Sequence, residues 1–113
     1  MVIPGCPVLP TRELWTATVD AQNRLLTWER LARGTVGMVP CYPRDILERV
    51  LQCKASGFFL VHNHPGGTPK ASPEDIEMTR NIQRIATSMG LRLLDHLIVG
   101  DGACYSIRED GLL

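Results

Sequence analysis

Residues 58–75 read FFLVHNHPGGTPKASPED. The stretch begins with Phe58–His62, an apolar run with the length and composition of a buried strand. The Pro/Gly-rich segment Pro65–Ala71 then turns the chain back. Ser72 followed by Pro73 is typical of the N-cap and first residue of a helix. These residues therefore predict a strand, a loop and a helix in that order.

Three side chains in this stretch, His62, His64 and Asp75, are candidate ligands of one metal ion. If the chain stays extended from His62 to His64, both imidazoles project from the same face. The first turn of the following helix would bring Asp75 back to the strand end. Two imidazoles and one carboxylate leave the fourth tetrahedral position of zinc for water, the ligand count of a catalytic site. Iron(II) also binds two histidines and one carboxylate, so ligand type alone leaves the metal open.

Asp75 also has a purely structural interpretation. Ser72 and Asp75 have the spacing of a capping box, in which the carboxylate accepts a hydrogen bond from the N-cap backbone N–H. Taken singly, each of the three residues is more often a cap or a hydrogen-bonded strand-end histidine than a ligand. A cap does not require a His-x-His pair before the loop, so the three residues together favour a metal site.

The rest of the chain predicts strands interleaved with two helices, hence an α/β domain with a mixed sheet. Residues 1–10, with three prolines, are predicted to be a loose leader before a single domain over residues 11–113. The second helix is predicted to end before Gly90, with one face formed by Ile76, Thr79, Gln83, Ala86 and Met89. The other predicted elements are a hairpin of Leu14–Val19 with Arg24–Leu31, a helix Pro43–Ser56 capped by Gly57, and strands Leu91–Val99 and Cys104–Ile107.

Composition excludes several classes of protein. Twelve basic and twelve acidic residues give zero net charge, so no overall field supports nucleic-acid binding. Apolar runs are far shorter than the roughly 20 residues needed to cross a bilayer, and the start lacks a secretory signal, so a cytoplasmic location is expected. The cysteines form no CxxC pair and are predicted to be free thiols: Cys6, Cys41, Cys53 and Cys104.

The motif resembles that of the JAMM (MPN+) metalloproteases: an upstream Glu, His-x-His-Pro, a spacer and Ser-x-x-Asp. Glu13, His62–Pro65 and Ser72–Asp75 fill these positions. Over roughly residues 11–113 the chain further resembles the RadC branch of this family, often labelled as DNA-repair proteins. The residues that carry this second resemblance are Arg33-Gly34-Thr35, Pro43-Arg44-Asp45, Thr79 and Leu94–Gly100.

This resemblance implies a three-layer α/β/α sandwich with a mixed sheet, similar to cytidine deaminases. It implies one zinc ion per chain, held by His62, His64 and Asp75. Glu13 is then the general acid/base and Ser72 helps to stabilise the oxyanion. The implied activity is hydrolysis of peptide or isopeptide bonds in a peptide or protein substrate.

Two other functions compete with this one. A base deaminase would share the fold and the zinc-activated water, but its P-C-x-x-C signature is absent from the sequence. The second is a DNA-repair-associated protein-binding module without peptidase activity. Among the remaining residues, His96 is predicted to be a hydrogen-bonded core or rim histidine, while Trp15 and Trp28 are predicted to serve packing.

Overall fold

The computed structural model describes residues 12–34, 43–64, 71–100 and 102–113. The predicted leader, residues 1–10, and most of the predicted loop, residues 65–70, lie outside the described part. The described elements, in chain order, are β1 (Arg12–Val19), β2 (Leu25–Gly34), α1 (Pro43–Gln52), β3 (Gly57–Asn63), α2 (Pro73–Ser88), β4 (Arg92–Gly100) and β5 (Ala103–Ser106).

The five strands form one mixed sheet in the order β2-β1-β3-β4-β5. Neighbours are antiparallel except for β3 and β4, which are parallel. A parallel pair needs a crossover connection. Helix α2 follows β3 and precedes β4 in the chain, and it packs on the sheet, so it forms this crossover. The predicted α/β domain with a mixed sheet is therefore confirmed.

The predicted hairpin is confirmed as β1 and β2. The carboxylate of Asp20 accepts hydrogen bonds from the backbone N–H groups of Gln22 and Arg24, both at 2.9 Å, which closes the turn. The second strand continues to Gly34, beyond the predicted end at Leu31. The longer strand gives β1 a partner along its whole length, from Arg12 onward.

Both helices pack on the same face of the sheet. Strand alternation directs Leu14, Phe58 and Leu60 to this face, and these residues share a buried cluster with both helices. The helical members of the cluster are Ile46, Leu47, Val50, Ile82 and Ala86. The described residues thus form one helical layer on one sheet, and the second helical layer of the predicted sandwich stays a prediction.

The buried face of α2 differs from the predicted one. Its buried residues are Asp75, Thr79, Ile82 and Ala86, whereas Met89 is 42% exposed. The prediction placed Met89 on the packed face and was wrong there. The helix is rotated so that Asp75 and Ile82, which were not on the predicted face, are buried together with Thr79 and Ala86.

The predicted end of α1 was also wrong. The helix ends at Gln52, because Lys54 adopts a left-handed conformation (φ 55). The N–H of Lys54 donates to Leu51 O at 2.9 Å and that of Ala55 to Val50 O at 3.4 Å, the pattern of a Schellman cap. Gly57 instead begins β3, where a Cβ would lie 3.0 Å from Arg92 O. Close approach of two strands, not helix capping, therefore accounts for this glycine.

The other end-of-helix prediction is confirmed. Gly90 takes the left-handed position after α2 (φ 77), and its N–H donates to Thr87 O at 3.1 Å. The N–H of Leu91 donates to Ala86 O at 2.8 Å, which completes the same type of cap. The chain then enters β4 at once.

Several smaller expectations are met in the described residues. Cys53 and Cys104 are free thiols. Trp15 and Trp28 stack on each other with ring centroids 5.1 Å apart, so they pack as predicted. Within the described ranges, no helix is both long enough and apolar enough to cross a membrane.

The left-handed Lys54 predicts a stabilising substitution. Glycine adopts this conformation without the Cβ clash, so Lys54→Gly should raise the free energy of unfolding by about 0.5–1 kcal/mol. Urea denaturation measures the change. Lys54→Ala is the matched control, since it removes the exposed side chain but keeps the Cβ, and it should leave stability almost unchanged. Equal stability of the two variants would contradict the strain at this cap.

Candidate metal centre

The end of strand β3 and the residue that follows it bring two imidazoles, of His62 and His64, close together. His62 pairs with Leu14 across the sheet and faces the helices, as Leu60 does two residues earlier. The backbone N–H of His64 donates to Val99 O at 2.8 Å, so the chain stays close to β4 just beyond the end of β3. His62 is fully buried and His64 largely so. The two histidines therefore lie side by side, in a position from which both could bind one metal ion.

Asp75 is held by the predicted capping box at the start of α2. Ser72 N donates to Asp75 Oδ2 at 3.1 Å, and Asp75 N donates to Ser72 Oγ at 3.1 Å. The cap fixes the carboxylate in the first helical turn, and α2 packs on the sheet so that this turn lies beside β3. Capping and ligation had been competing interpretations of Asp75; the structure has the capping box and still directs the carboxylate at both imidazoles.

The three side chains converge on a single point. His62 Nδ1 lies 3.5 Å from Asp75 Oδ1, and His64 Nε2 lies 3.4 Å from Asp75 Oδ2. One ligand atom from each residue lies within 4.8 Å of the others. The two imidazole rings stand edge to face with centroids 4.8 Å apart. Within the described residues this is the His/Asp group with metal-binding spacing.

Two observations test whether a metal ion fits here. Zn–N and Zn–O bonds of about 2.0–2.1 Å at tetrahedral angles separate two ligand atoms by roughly 3.4 Å, close to the spacings at Asp75. Moreover, His62 Nδ1, His62 Nε2 and His64 Nε2 are buried without hydrogen-bond partners among the described residues. Buried polar atoms are normally satisfied, so such nitrogens indicate a missing ligand partner. The residues therefore fit a metal ion.

The charge states of the site suit metal binding. Desolvation lowers the pKa of His62 to about 4, against the opposing effect of Asp75, so the imidazole is neutral at neutral pH. Burial tends to raise the pKa of Asp75, but hydrogen bonds with Ser72 and the nearby imidazoles lower it overall. A neutral imidazole at His62 and an ionised carboxylate at Asp75 are the protonation states that metal ligands require.

A buried network behind the ligands was missed from the sequence. His96 on β4 is fully buried, and its Nδ1 lies 2.6 Å from Thr79 Oγ1. Thr79 Oγ1 in turn donates to Asp75 O at 2.6 Å. His96 is thus a core rather than a rim histidine, but its Nε2 has no partner in the described part of the chain. The helical spacing of Asp75 and Thr79 was the available signal, because it places both residues on one face of α2.

Glu13 is not part of the three-residue group. It lies beside Leu14 on β1, and its backbone N–H donates to Asn63 Oδ1 at 2.5 Å. Its carboxylate accepts from Trp15 Nε1 at 3.1 Å and lies 3.8 Å from Arg30 and 4.0 Å from Arg33. The structure therefore brings together His62, His64, Asp75 and Ser72, and it surrounds the predicted acid/base with groups from β1 and β2.

Comparison with known proteins identifies relatives along almost the whole chain. A family model described as a RadC-like JAB domain matches residues 6–112. A UPF0758 protein of Rhodobacter capsulatus is 46% identical over 104 residues, which cover 92% of this chain and 49% of that protein. A UPF0758 protein of Porphyromonas gingivalis is 40% identical over 113 residues, covering 99% and 50%. One of Aquifex aeolicus is 42% identical over 95 residues, covering 84% and 41%.

The chain spans about half the length of the curated relatives it matches. The names of these relatives state no activity or substrate. The family match nevertheless includes every residue of the metal centre and the hairpin that carries Glu13. The chain belongs to the RadC-like JAB domain family, which confirms the resemblance drawn from its His-x-His and Ser-x-x-Asp motif.

Proposed function

We propose that this domain is a zinc-dependent hydrolase of the JAMM type that cleaves peptide or isopeptide bonds in a peptide or protein substrate. The observation that carries the proposal is the convergence of His62, His64 and Asp75 near the spacing of zinc ligands, with buried imidazole nitrogens that make no hydrogen bond within the described part of the chain. Two imidazoles and one carboxylate leave a coordination position for a reactant, unlike the closed set of a structural zinc site.

The metal and the protein have separate tasks in this proposal. When bound, zinc supplies a Lewis acid that lowers the pKa of a water molecule toward neutrality. His62, His64 and Asp75 hold it, and Ser72 keeps the carboxylate of Asp75 in place through the capping box. The neutral His62 side chain adds no positive charge that would repel the ion.

Glu13 is the proposed general acid/base. Its carboxylate accepts a proton from water as the oxygen adds to the carbonyl carbon, and it returns the proton to the amine nitrogen as the C–N bond breaks. The backbone of Glu13 lies close to the site, since Leu14, the next residue, pairs with His62, while strand alternation puts the carboxylate on the other face of the sheet. The indole N–H of Trp15 fixes one carboxylate oxygen at 3.1 Å, which orients the group.

Ser72 is the proposed oxyanion donor. Its Oγ accepts the N–H of Asp75, so its own hydroxyl proton stays available to the developing negative charge on the carbonyl oxygen. The N-terminus of α2 lies beside it and contributes a favourable dipole. Ser72 is half-buried, which leaves the hydroxyl accessible from outside.

Substitutions at Asp75 separate its two tasks. Asp75→Asn keeps an oxygen for the Ser72 N–H but loses the charged ligand, so zinc affinity should fall by more than the 10–100-fold typical of groups that only support a ligand. Asp75→Ala should lose the same affinity and also about 1 kcal/mol of metal-free stability, because the Ser72 N–H loses its carboxylate acceptor while the bond from residue 75 N–H to Ser72 Oγ remains. Zinc titration against a chromophoric chelator and urea denaturation measure the two effects. Wild type purified without chelator that binds no zinc would refute the metal site.

The Glu13 proposal predicts a loss of rate without loss of metal. Glu13→Gln keeps an acceptor for Trp15 Nε1 but cannot take up a proton, so kcat on a cleavable peptide or isopeptide substrate should fall by about 10²–10⁴-fold. Zinc content should remain that of wild type. Glu29→Gln, which alters an exposed carboxylate paired with Arg49 away from the site, is the control and should retain full activity.

The Ser72 proposal predicts that Ser72→Gly lowers kcat with little change in the free energy of unfolding, whereas Ser72→Ala lowers both. Glycine is a tolerated N-cap, so Ser72→Gly should cost only a few tenths of a kcal/mol while kcat falls by about 10²–10³-fold. Ser72→Ala should lose similar rate and a further ~1 kcal/mol of stability. Full activity of the glycine variant would remove Ser72 from the catalytic step.

The alternative function is a DNA-repair-associated protein-binding module without peptidase activity. Such a module could keep the same metal centre, but it would bind a protein without cleaving it. A zinc-loaded wild type that cleaves none of a broad panel of peptides and isopeptide-linked proteins would favour this alternative over the hydrolase.

A further inference from the structure

The buried histidine behind the metal centre has one satisfied nitrogen and one unsatisfied nitrogen. His96 has no exposed surface, and its ring centroid lies 6.0 Å from that of His62 with the planes tilted by 30°. Its Nδ1 contacts Thr79 Oγ1, while its Nε2 lacks a partner among the described residues. The Nε2 of His62 is also buried and has no hydrogen-bond partner within the same described ranges. Two unsatisfied ring nitrogens thus belong to neighbouring imidazoles.

The proton positions at Thr79 follow from the contacts. A threonine hydroxyl has one proton, and Thr79 Oγ1 donates it to Asp75 O, because a carbonyl oxygen can only accept. The hydroxyl oxygen must then accept from His96 Nδ1 across the 2.6 Å contact. A fully buried imidazole is neutral and carries one proton, so this proton is on Nδ1 and Nε2 has a bare lone pair.

The proton of His62 has the complementary position. Its Nδ1 is the ring nitrogen that faces Asp75 Oδ1, and a ligating nitrogen must offer a lone pair. The proton of a neutral His62 is therefore on Nε2, which makes this atom a donor. His96 Nε2 is an acceptor, so the two unsatisfied nitrogens are complementary.

We propose that Thr79 and His96 are positioning residues that fix the tautomer and orientation of His62 for metal binding. His62 Nε2–H donates to His96 Nε2 through one bridging water molecule, because ring centroids 6.0 Å apart leave the two nitrogens beyond direct hydrogen-bond distance. The direction of this hydrogen bond is set by the contacts of Thr79, whose hydroxyl donates a hydrogen bond to the backbone carbonyl of Asp75 and accepts one from His96 Nδ1. One ligand, Asp75, thus determines the proton position on another, His62, through the interior of the domain.

The inference rests on the proposed metal site and adds a measurable requirement to it. Partners that accept the second N–H of a ligating histidine typically change metal affinity by 10–100-fold. Loss of the His96 acceptor should therefore lower zinc affinity by about that factor, although His96 does not itself contact the metal. An effect on affinity alone distinguishes this role from simple core packing.

The substitution test uses His96→Leu and His96→Gln in the whole chain. Leucine fills the buried space without an acceptor, so the variant should fold with unchanged or higher metal-free stability and bind zinc about 10–100-fold more weakly. Glutamine offers Oε1 near the position of Nε2 and should recover part of the affinity. Wild-type zinc affinity in a folded His96→Leu variant would overturn the inference.

A second measurement reads the tautomers directly and does not need the metal. Imidazole ¹⁵N shifts of the metal-free protein should show His96 protonated on Nδ1. Thr79→Val should abolish this preference and weaken zinc binding, whereas Thr79→Ser, which keeps the hydroxyl, should retain both. A proton on His96 Nε2 in wild type would overturn the inference even if zinc binds. Failure of wild type to bind zinc would refute the proposed metal site, and the ¹⁵N shifts would still decide the tautomer chain.

Discussion

The carboxylate of Asp75 is the group on which the candidate site depends. It closes the capping box with Ser72 and, from the same two oxygens, approaches His62 and His64 at 3.5 and 3.4 Å. A helix cap fixes a side chain more firmly than a surface loop does, because the backbone of the first turn is part of the interaction. The crossover from β3 through α2 to β4 then carries that turn back to the strand end that bears the imidazoles.

Strand register sets what Glu13 can do. Leu14 pairs with His62 and both face the helices, so alternation directs Glu13 and its neighbour Asn63 to the opposite face. A carboxylate on that face can serve a substrate at the metal only around the end of the sheet. Strand β3 ends at Asn63, so the sheet has its edge beside this strand pair. The proposed acid/base role therefore depends on where the strand ends as much as on the glutamate itself.

The unsatisfied nitrogens have an energetic consequence. An unpaired buried polar group costs about 1–3 kcal/mol, and a domain of this size is stable by only about 5–15 kcal/mol. Four such ring nitrogens belong to His62, His64 and His96 in the described residues. A metal ion bound to His62 Nδ1 and His64 Nε2, together with a water bridge between the Nε2 atoms of His62 and His96, would satisfy all four. The domain should thus gain stability from its metal as well as reactivity, since binding to the folded state alone shifts the folding equilibrium.

Much of the site could be predicted because its signals are local. The His-x-His alternation, the Ser-Pro helix start and Asp75 in the first turn each follow from a few neighbouring residues. The C-terminal cap of α1 was missed because a lysine, Lys54, adopts the left-handed conformation that is usually occupied by glycine. Gly57, by contrast, is required by the close approach of Arg92 O on the neighbouring strand. Contacts of that kind depend on pairing partners that no local pattern specifies.

The position of His96 shows most clearly where local reasoning ends. Leu93 pairs with Phe58 and faces the helices, so simple alternation along β4 would turn Asp95 inward and His96 outward. The register instead shifts by one residue after Leu93, and Asp95 pairs with Phe59. This bulge reverses the alternation and brings His96 to the face of His62. The residue types of β4 do not predict this shift, because a register shift is defined only by the pairing of β4 with β3. A single extra residue in one strand therefore gives the metal centre the buried imidazole behind it.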